Sequence, residues 1–265
     1  MKVVVCTKQT PSTTAVFSVN DGTVSWEDPG GKPNIVNPWD EYAIEEAILL
    51  KENHGASDAI ALTFGAPDAT DALKTCLAMG CTEAVLVSDD SLTGSDEVGT
   101  ARILAAALNK IGDVKIALFG KQAIEGDTGL TPVMTAQKLG WTPLTYVSAI
   151  KEISDDSITV ERLLDDGKET VTAALPVVIS VVKEINAPRY PSFMGIRKAN
   201  RAKIPSWSAA DLEIDGEVGA EASKTAWFDT STIPVREGEV EIIDGDSVEE
   251  QAEALVEKLF EEKVI

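Results

Sequence analysis

One stretch concentrates residues able to grip an anion. LFGKQAIEGDTGLTPVMTA (118–136) leaves an apolar, strand-like run at Gly120, crosses a turn rich in Gly, Asp and Thr, and enters a segment of helical character. Gly120, Gly126 and Gly129 let the backbone come close to a ligand. A helix beginning near Thr128 would add free N–H groups and the positive end of its dipole. Thr128 and Thr131 add hydroxyls. A phosphate or pyrophosphate needs this equipment. The spacing is not that of the G-x-x-x-x-G-K-[ST] phosphate loop, because Lys121 comes directly after Gly120. It is not G-x-G-x-x-G either, and it follows the fourth strand of the series, not the first. On spacing alone, a nucleotide site and a plain strand-loop-helix junction remain equally open.

Glu125 and Asp127 could serve as general acid and base. The plainer reading is a helix cap and a solvent-facing acid, and it is favoured because no histidine lies nearby. The chain has a single histidine, His54, next to Gly55 at a helix end, where it suits the helix dipole. The three cysteines, Cys6, Cys76 and Cys81, form no C-x-x-C pair. A zinc site or a Cys-His nucleophile is therefore poorly supplied. No metal and no catalytic residue is expected.

Alternating elements must position this turn. KVVVCT (2–7) reads as a buried strand, and SVNDGTVSWED (18–28) as a hairpin around a DG turn. NPWDEYAIEEAILLKEN (37–53) reads as a helix with Asn37 as N-cap, Pro38 in the first turn and acids at 40, 41, 45 and 46. Strands over 58–64, 83–89 and 114–120 alternate with helices over 66–80, 95–112 (Ser95 as a possible cap) and 128–140. That order predicts an α/β fold: a Rossmann-like, mostly parallel sheet with helices on both faces. Ligands of such sheets bind beyond the carboxyl ends of the strands. Four strand ends would meet there, supplying Thr7 and Lys8, then Thr63 to Ala66, then Ser88, then Gly120 to Thr131. Beyond Pro143 the chain turns β-rich, as a meander or as extra strands of the same sheet. The stretch 186–207 carries three prolines and the densest basic cluster. Pro188 and Pro191 are expected to keep it out of regular helix or sheet. Residues 213–246 read as a linker or wrapping arm, and 247–265 as a helix capped by Ser247, with Glu250 completing a capping box. The domains expected are 1–212 and 213–265.

Composition narrows the classes. Lys plus Arg number 23 against 44 Asp plus Glu, a formal charge of −21. Such a surface repels nucleic acid and anionic lipid. No apolar run reaches the ~18 residues of a membrane span. The N-terminus lacks a signal-peptide pattern, so a cytoplasmic protein is expected.

Five segments together resemble the β subunit of the electron transfer flavoproteins: VVVCTKQTPST, NPWDEYAIEEAILLKE, TCLAMGCTEAVLVSD, LFGKQAIEGDTGLTPVMTAQKLG and APRYPSFMGIRKANRAKI. They stand in family order over about the first four-fifths of the chain. The resemblance implies a heterodimer with an α subunit that carries the electron-transferring FAD. It also implies that a C-terminal arm, here 213–265, wraps onto that subunit. The β crevice would hold AMP, as in respiratory members, or a second FAD, as in electron-bifurcating ones. Carried over by motif, the nucleotide would touch Cys6, Lys8, Asn37, Pro38, Trp39, Asp40, Phe64 and Gly65. Gly120, Lys121, Gln122, Glu125, Gly126, Asp127, Thr128, Gly129, Leu130 and Thr131 would hold its phosphates.

Gly126, Asp127, Thr128 and Pro132 match the bifurcating and anaerobic pattern, which favours FAD. Leu130 and Thr131 depart from it, standing where Gln and a small apolar residue are usual. RYPSFMGIRKA resembles the family's recognition loop, here 187–198. Phe193 with Met194 would anchor in a partner dehydrogenase, of the acyl-CoA dehydrogenase class. Arg189, Tyr190, Arg197 and Lys198 flank the anchor, and the basic residues would steer an acidic partner. A bifurcating member would take NADH as donor and ferredoxin or flavodoxin as an acceptor. The alternatives are a structural AMP-holding subunit and a nucleotide-hydrolysing or adenylate-transferring enzyme. The latter would rely on Glu125 and Asp127 for Mg²⁺.

Overall fold

A computed structural model describes residues 1–28, 30–31, 34–225, 229–232, 234–235, 238 and 240–265. The chain forms β1 (Lys2–Cys6), β2 (Gln9–Pro11), β3 (Val16–Asn20), β4 (Thr23–Glu27), β5 (Asn34–Val36) and α1 (Pro38–Asn53). There follow β6 (Asp58–Phe64), α2 (Thr70–Met79), β7 (Glu83–Val87), α3 (Glu97–Ile111), β8 (Val114–Gly120) and α4 (Thr131–Leu139). Then come β9 (Thr142–Ile153), β10 (Ser157–Leu164), β11 (Gly167–Ala174), β12 (Val177–Val181), α5 (Phe193–Ala199), β13 (Ser206–Trp207) and α6 (Val248–Glu261).

Nine strands make one sheet in the order β11-β10-β9-β12-β8-β1-β6-β7-β13. From β9 to β13 every neighbouring pair is parallel; β10 and β11 add an antiparallel extension. The expected α/β architecture is what the chain adopts, and the β-rich stretch after Pro143 widens the same sheet. Alternation along β1 explains the layering. Val3 and Val5 enter a core beneath α1 and α2, while Val4 and Cys6 enter a second core beneath α3 and α4. The chain leaves β1 toward β6 and β7, then returns to the other side of β1 as β8. The strand order therefore reverses between β1 and β8, the place where such sheets open a crevice.

Local rules account for most element ends. Asp21 (φ 49°) and Gly22 (φ 74°) turn the β3–β4 hairpin, which needs positive φ at both positions. Gly140 closes α4 in the left-handed conformation.

Four expectations need correction. Helix α3 is capped by Asp96, whose carboxylate accepts from the Gly99 amide; Ser95 beside it bonds the Leu92 carbonyl instead. Helix α4 starts at Thr131, not near Thr128, because Asp127 (φ 53°) and Gly129 (φ 62°) hold the preceding turn outside helical conformation. In α6, Ser247 caps as expected, but the Glu250 carboxylate accepts from the Asp246 amide, one residue before the reciprocal capping-box bond. The stretch 186–207 contains a short helix, α5, because Ser192 provides an N-cap just past the second proline.

Compact packing divides the chain into Met1–Asp229 and Thr230–Ile265. Residues 213–225 lie along the first unit. Arg102 Nη1 donates to the Glu217 carbonyl at 2.6 Å, the Gly219 amide to Ser95 Oγ at 2.8 Å, and the Lys224 amide to Asp96 Oδ2 at 2.8 Å. No helix among the described residues is long and apolar enough to cross a membrane.

Candidate functional site

The crevice lies at the carboxyl ends of β1, β6 and β8, against the N-terminus of α1. Asp40 is its keystone. The residue is 5% exposed, and its two oxygens take amides from two different strand ends. Lys8 N–H reaches Oδ2 at 2.7 Å and Gly120 N–H reaches Oδ1 at 3.1 Å. Burial raises the Asp40 carboxyl from 3.8 to about 7; the Lys8 amide, the Asn37 side chain, the Gly120 amide and Thr7 pull the other way. A Cβ at Gly120 would stand 2.4 Å from Asp40 Oδ1 and 2.6 Å from the Trp39 carbonyl carbon. Glycine is required there by close approach of α1, not by its φ.

Asn37 occupies the N-cap position of α1, yet its side chain makes no capping bond. It spans the crevice instead. Its Nδ2 donates to the Gln122 carbonyl at 2.8 Å, and its Oδ1 accepts from the Ile124 amide at 3.2 Å. One buried side chain thus replaces two missing backbone partners of the 121–130 turn. The turn is braced further. Gln122 Nε2 donates to Asp127 Oδ1 at 2.5 Å, and the Asp127 amide to the Ala123 carbonyl at 3.0 Å.

The Asp127 amide is therefore already bonded within the turn. The amides of Thr128, Gly129, Leu130 and Thr131 have no partner among the described residues, and they lead into α4 with Pro132 in its first turn. They sit at a partly to fully exposed edge of the crevice. Free donors at a helix N-terminus fit a phosphate group, so the arrangement suits a phosphorylated nucleotide.

The remaining expected residues have the following surroundings. Lys8 is exposed and pairs through Nζ with Glu125 Oε1. Phe64 and Gly65 close the β6 end, where the Gly65 amide bonds the Val87 carbonyl at 3.1 Å. Lys121 lies 5.3 Å from the Trp39 ring centre, and Trp39 stacks obliquely on Tyr42. Pro38 is half-buried at the start of α1. Cys6 is 4% exposed and its side chain packs in the second core; burial, with the Asp40 charge second, pushes its thiol well above the ordinary range.

Tyr146 of β9 was not singled out by the sequence. It adopts φ 56°, a strained value for a bulky residue, and Lys121 Nζ lies 5.7 Å from its ring centre. Its amide donates to Ser180 Oγ at 3.3 Å. Nothing in LTYVSAIKEI distinguishes this tyrosine from an ordinary strand residue.

A second cluster surrounds 187–198. Tyr190 is 94% exposed, Phe193 80% and Met194 67%. Arg197 and Lys198 are exposed beside them. The Arg189 guanidinium is bound by Glu45 and Glu52 of α1.

The fold and this crevice define a class: a Rossmann-like α/β protein whose sheet opens a crevice at its switch point. Residues 28–212 match the electron transfer flavoprotein domain family. The chain belongs to the electron transfer flavoprotein family, as a β-subunit relative, and its function lies in electron transfer. It is 39% identical over 267 residues to the caffeyl-CoA reductase-Etf complex subunit CarD of Acetobacterium woodii, with 100% of both chains covered. It is 38% identical to the electron transfer flavoprotein subunit beta of Clostridium acetobutylicum, again over 100% of both. It is 36% identical to that of Megasphaera elsdenii over 273 residues, with the same coverage.

Proposed function

We propose that the chain binds FAD in the β1–β8 crevice, pairs with an α subunit that carries a further FAD, and exchanges electrons with a dehydrogenase docked on 187–198. The observation that carries this reading is the row of amides at 128–131 without a partner among the described residues, at the start of α4. Asp40 fixes the two strand ends that flank them, and Asn37 fixes the turn that presents them. FAD supplies one- and two-electron redox chemistry when bound. The chain's residues bind and orient: Lys8, paired with Glu125, stands at the crevice mouth, and Thr128 and Thr131 offer hydroxyls.

Gly126, Asp127, Thr128 and Pro132 follow the bifurcating and anaerobic pattern, and a full-length relative is named as part of a reductase-Etf complex. Both support the bifurcating type, with NADH as donor and ferredoxin or flavodoxin as one acceptor. AMP would satisfy the same amides with its single phosphate. The hydrolytic alternative loses ground. Glu125 is engaged by Lys8 and Asp127 by Gln122, so this pair of carboxylates is not free for Mg²⁺.

The test is to purify the α/β heterodimer, denature it and identify the released cofactors. Two FAD per heterodimer is the expected result. One FAD with one AMP assigns the crevice to AMP and overturns the FAD reading.

A further inference from the structure

Arg189 sits at the base of the exposed 187–198 segment and is fully engaged by α1. Its Nε donates to Glu45 Oε2 and its Nη2 to Glu45 Oε1, both at 2.9 Å. Its Nη1 donates to Glu52 Oε1 at 2.8 Å and its Nη2 to Glu52 Oε2 at 2.9 Å. The backbone amide of Arg189 adds a bond to Glu45 Oε2 at 3.1 Å. Three residues earlier, Asn186 Nδ2 donates to the Tyr42 carbonyl and to Glu46 Oε2, each at 3.0 Å. Glu45 and Glu46 are 4% and 7% exposed. Burying two acids side by side on one helix is unfavourable unless partners meet them, and residues 186–189 provide those partners.

The far end of the segment is fastened differently. A Cβ at Gly195 would lie 2.2 Å from the Ala78 carbonyl oxygen, so glycine lets α5 rest directly on the backbone of α2. Between the two fastenings, Tyr190, Phe193 and Met194 are held out at 94%, 80% and 67% exposure.

We infer that Arg189 is a positioning residue: clamped by Glu45 and Glu52, it presets the exposed apolar tip, and it takes no part in steering the partner. This rests on the docking role proposed above for 187–198. The clamp has a physical purpose. Helix α1 also carries Asp40, which ties it to the crevice. One rigid helix therefore sets the relation between the crevice and the docking tip, and transfer between two proteins depends on such fixed geometry. The planar fork is essential, because lysine keeps the charge but cannot engage two carboxylates side by side.

The experiment uses the α/β complex with Arg189→Lys, Glu45→Gln and Lys198→Gln, each checked for unchanged flavin content. Hydrogen exchange is read at the amides of 190–196. KM and kcat are read with a reduced acyl-CoA dehydrogenase as the electron donor. Arg189→Lys and Glu45→Gln should each speed exchange and raise KM on the order of tenfold, with kcat within about twofold. Lys198→Gln should leave exchange unchanged. A steering role predicts the reverse: Arg189→Lys behaves as the unaltered protein, and Glu45→Gln, which removes a repelling acid, is neutral or faster. Either of those results overturns the inference. If Glu45→Gln does not fold, Glu52→Gln removes half of the clamp from its exposed side and should shift both readouts by about threefold; no shift counts against the clamp. Phe193→Ala separates the two levels. An unchanged KM in that variant dismisses the docking role, whereas normal exchange in Arg189→Lys dismisses the clamp alone.

Discussion

Gly120 and Asp40 hold each other in place. The glycine lets α1 approach β8, and its amide supplies one of the two bonds that make a buried carboxylate tolerable. Gly120→Ala would force a methyl group onto Asp40 and the Trp39 backbone. Overfilling of this kind costs about 1–3 kcal/mol or more, so a lowered melting temperature and reduced cofactor content in the purified heterodimer are expected. A normal melting temperature would show that α1 can move away freely. Asp40 makes a separate prediction about pH. The unfolded chain releases this proton near the ordinary 3.8, the folded chain only near 7. Between those values the folded state holds the extra proton, so raising the pH draws stability away. The change approaches about 4 kcal/mol across the window and levels off above it. Asp40→Asn lacks this titration, and its amide group cannot accept from both Lys8 and Gly120. The unaltered protein should therefore be more stable than Asp40→Asn, by a margin that narrows from pH 4 to 7 and is then constant. Denaturant titrations at pH 4.5, 6 and 8 measure it; a margin that stays flat assigns the carboxyl an ordinary value.

At the scale of elements, the alternation of strands and helices was legible because each strand is a short apolar run and each helix ends near a glycine or a capping residue. The mistakes share a cause: a residue type that can fill two roles. Asn37 has the chemistry of a cap, but the 121–130 turn approaches it in space, and its side chain bridges to Gln122 and Ile124. Thr128 looks like a helix start, yet the positive φ of Asp127 and Gly129 delays α4 to Thr131, which is what leaves the amides before it free. Ser95 and Asp96 are neighbours of equal capping aptitude. Arg189 reads as a free cation until the buried face of α1 is seen to carry Glu45. The strain at Tyr146 left no trace in the sequence, since it arises where β9 and β12 shift register. Asn37→Ala tests the bridging role. It should cost about 1–3 kcal/mol through two lost bonds and speed hydrogen exchange at 121–130, while the first turn of α1 stays protected. Loss of protection in α1 instead would return Asn37 to a capping role.

Charge is distributed unevenly over the whole molecule. A chain of net charge −21 places Arg197, Lys198, Arg201 and Lys203 within seven residues, next to the exposed Phe193 and Met194. With Arg189 held by its acids, these four are the other cations of the 186–207 stretch, and all four are exposed. Long-range attraction of this kind changes the rate of encounter more than the strength of the final complex, and salt weakens it over about 10 Å at 0.1 M. The apolar tip contributes after contact, through burial that salt scarcely affects. The two contributions can be separated by measuring electron transfer to or from a dehydrogenase partner across ionic strengths of about 10 to 300 mM. The combined Arg197→Gln and Lys198→Gln variant should be slower at low salt and should converge on the unaltered protein at high salt. Phe193→Ala should be slower by about tenfold or more at every salt concentration, with its cofactor retained. Parallel salt curves for the charge variant would mean that the basic cluster is not what draws the partner in, and that the apolar tip finds it unaided.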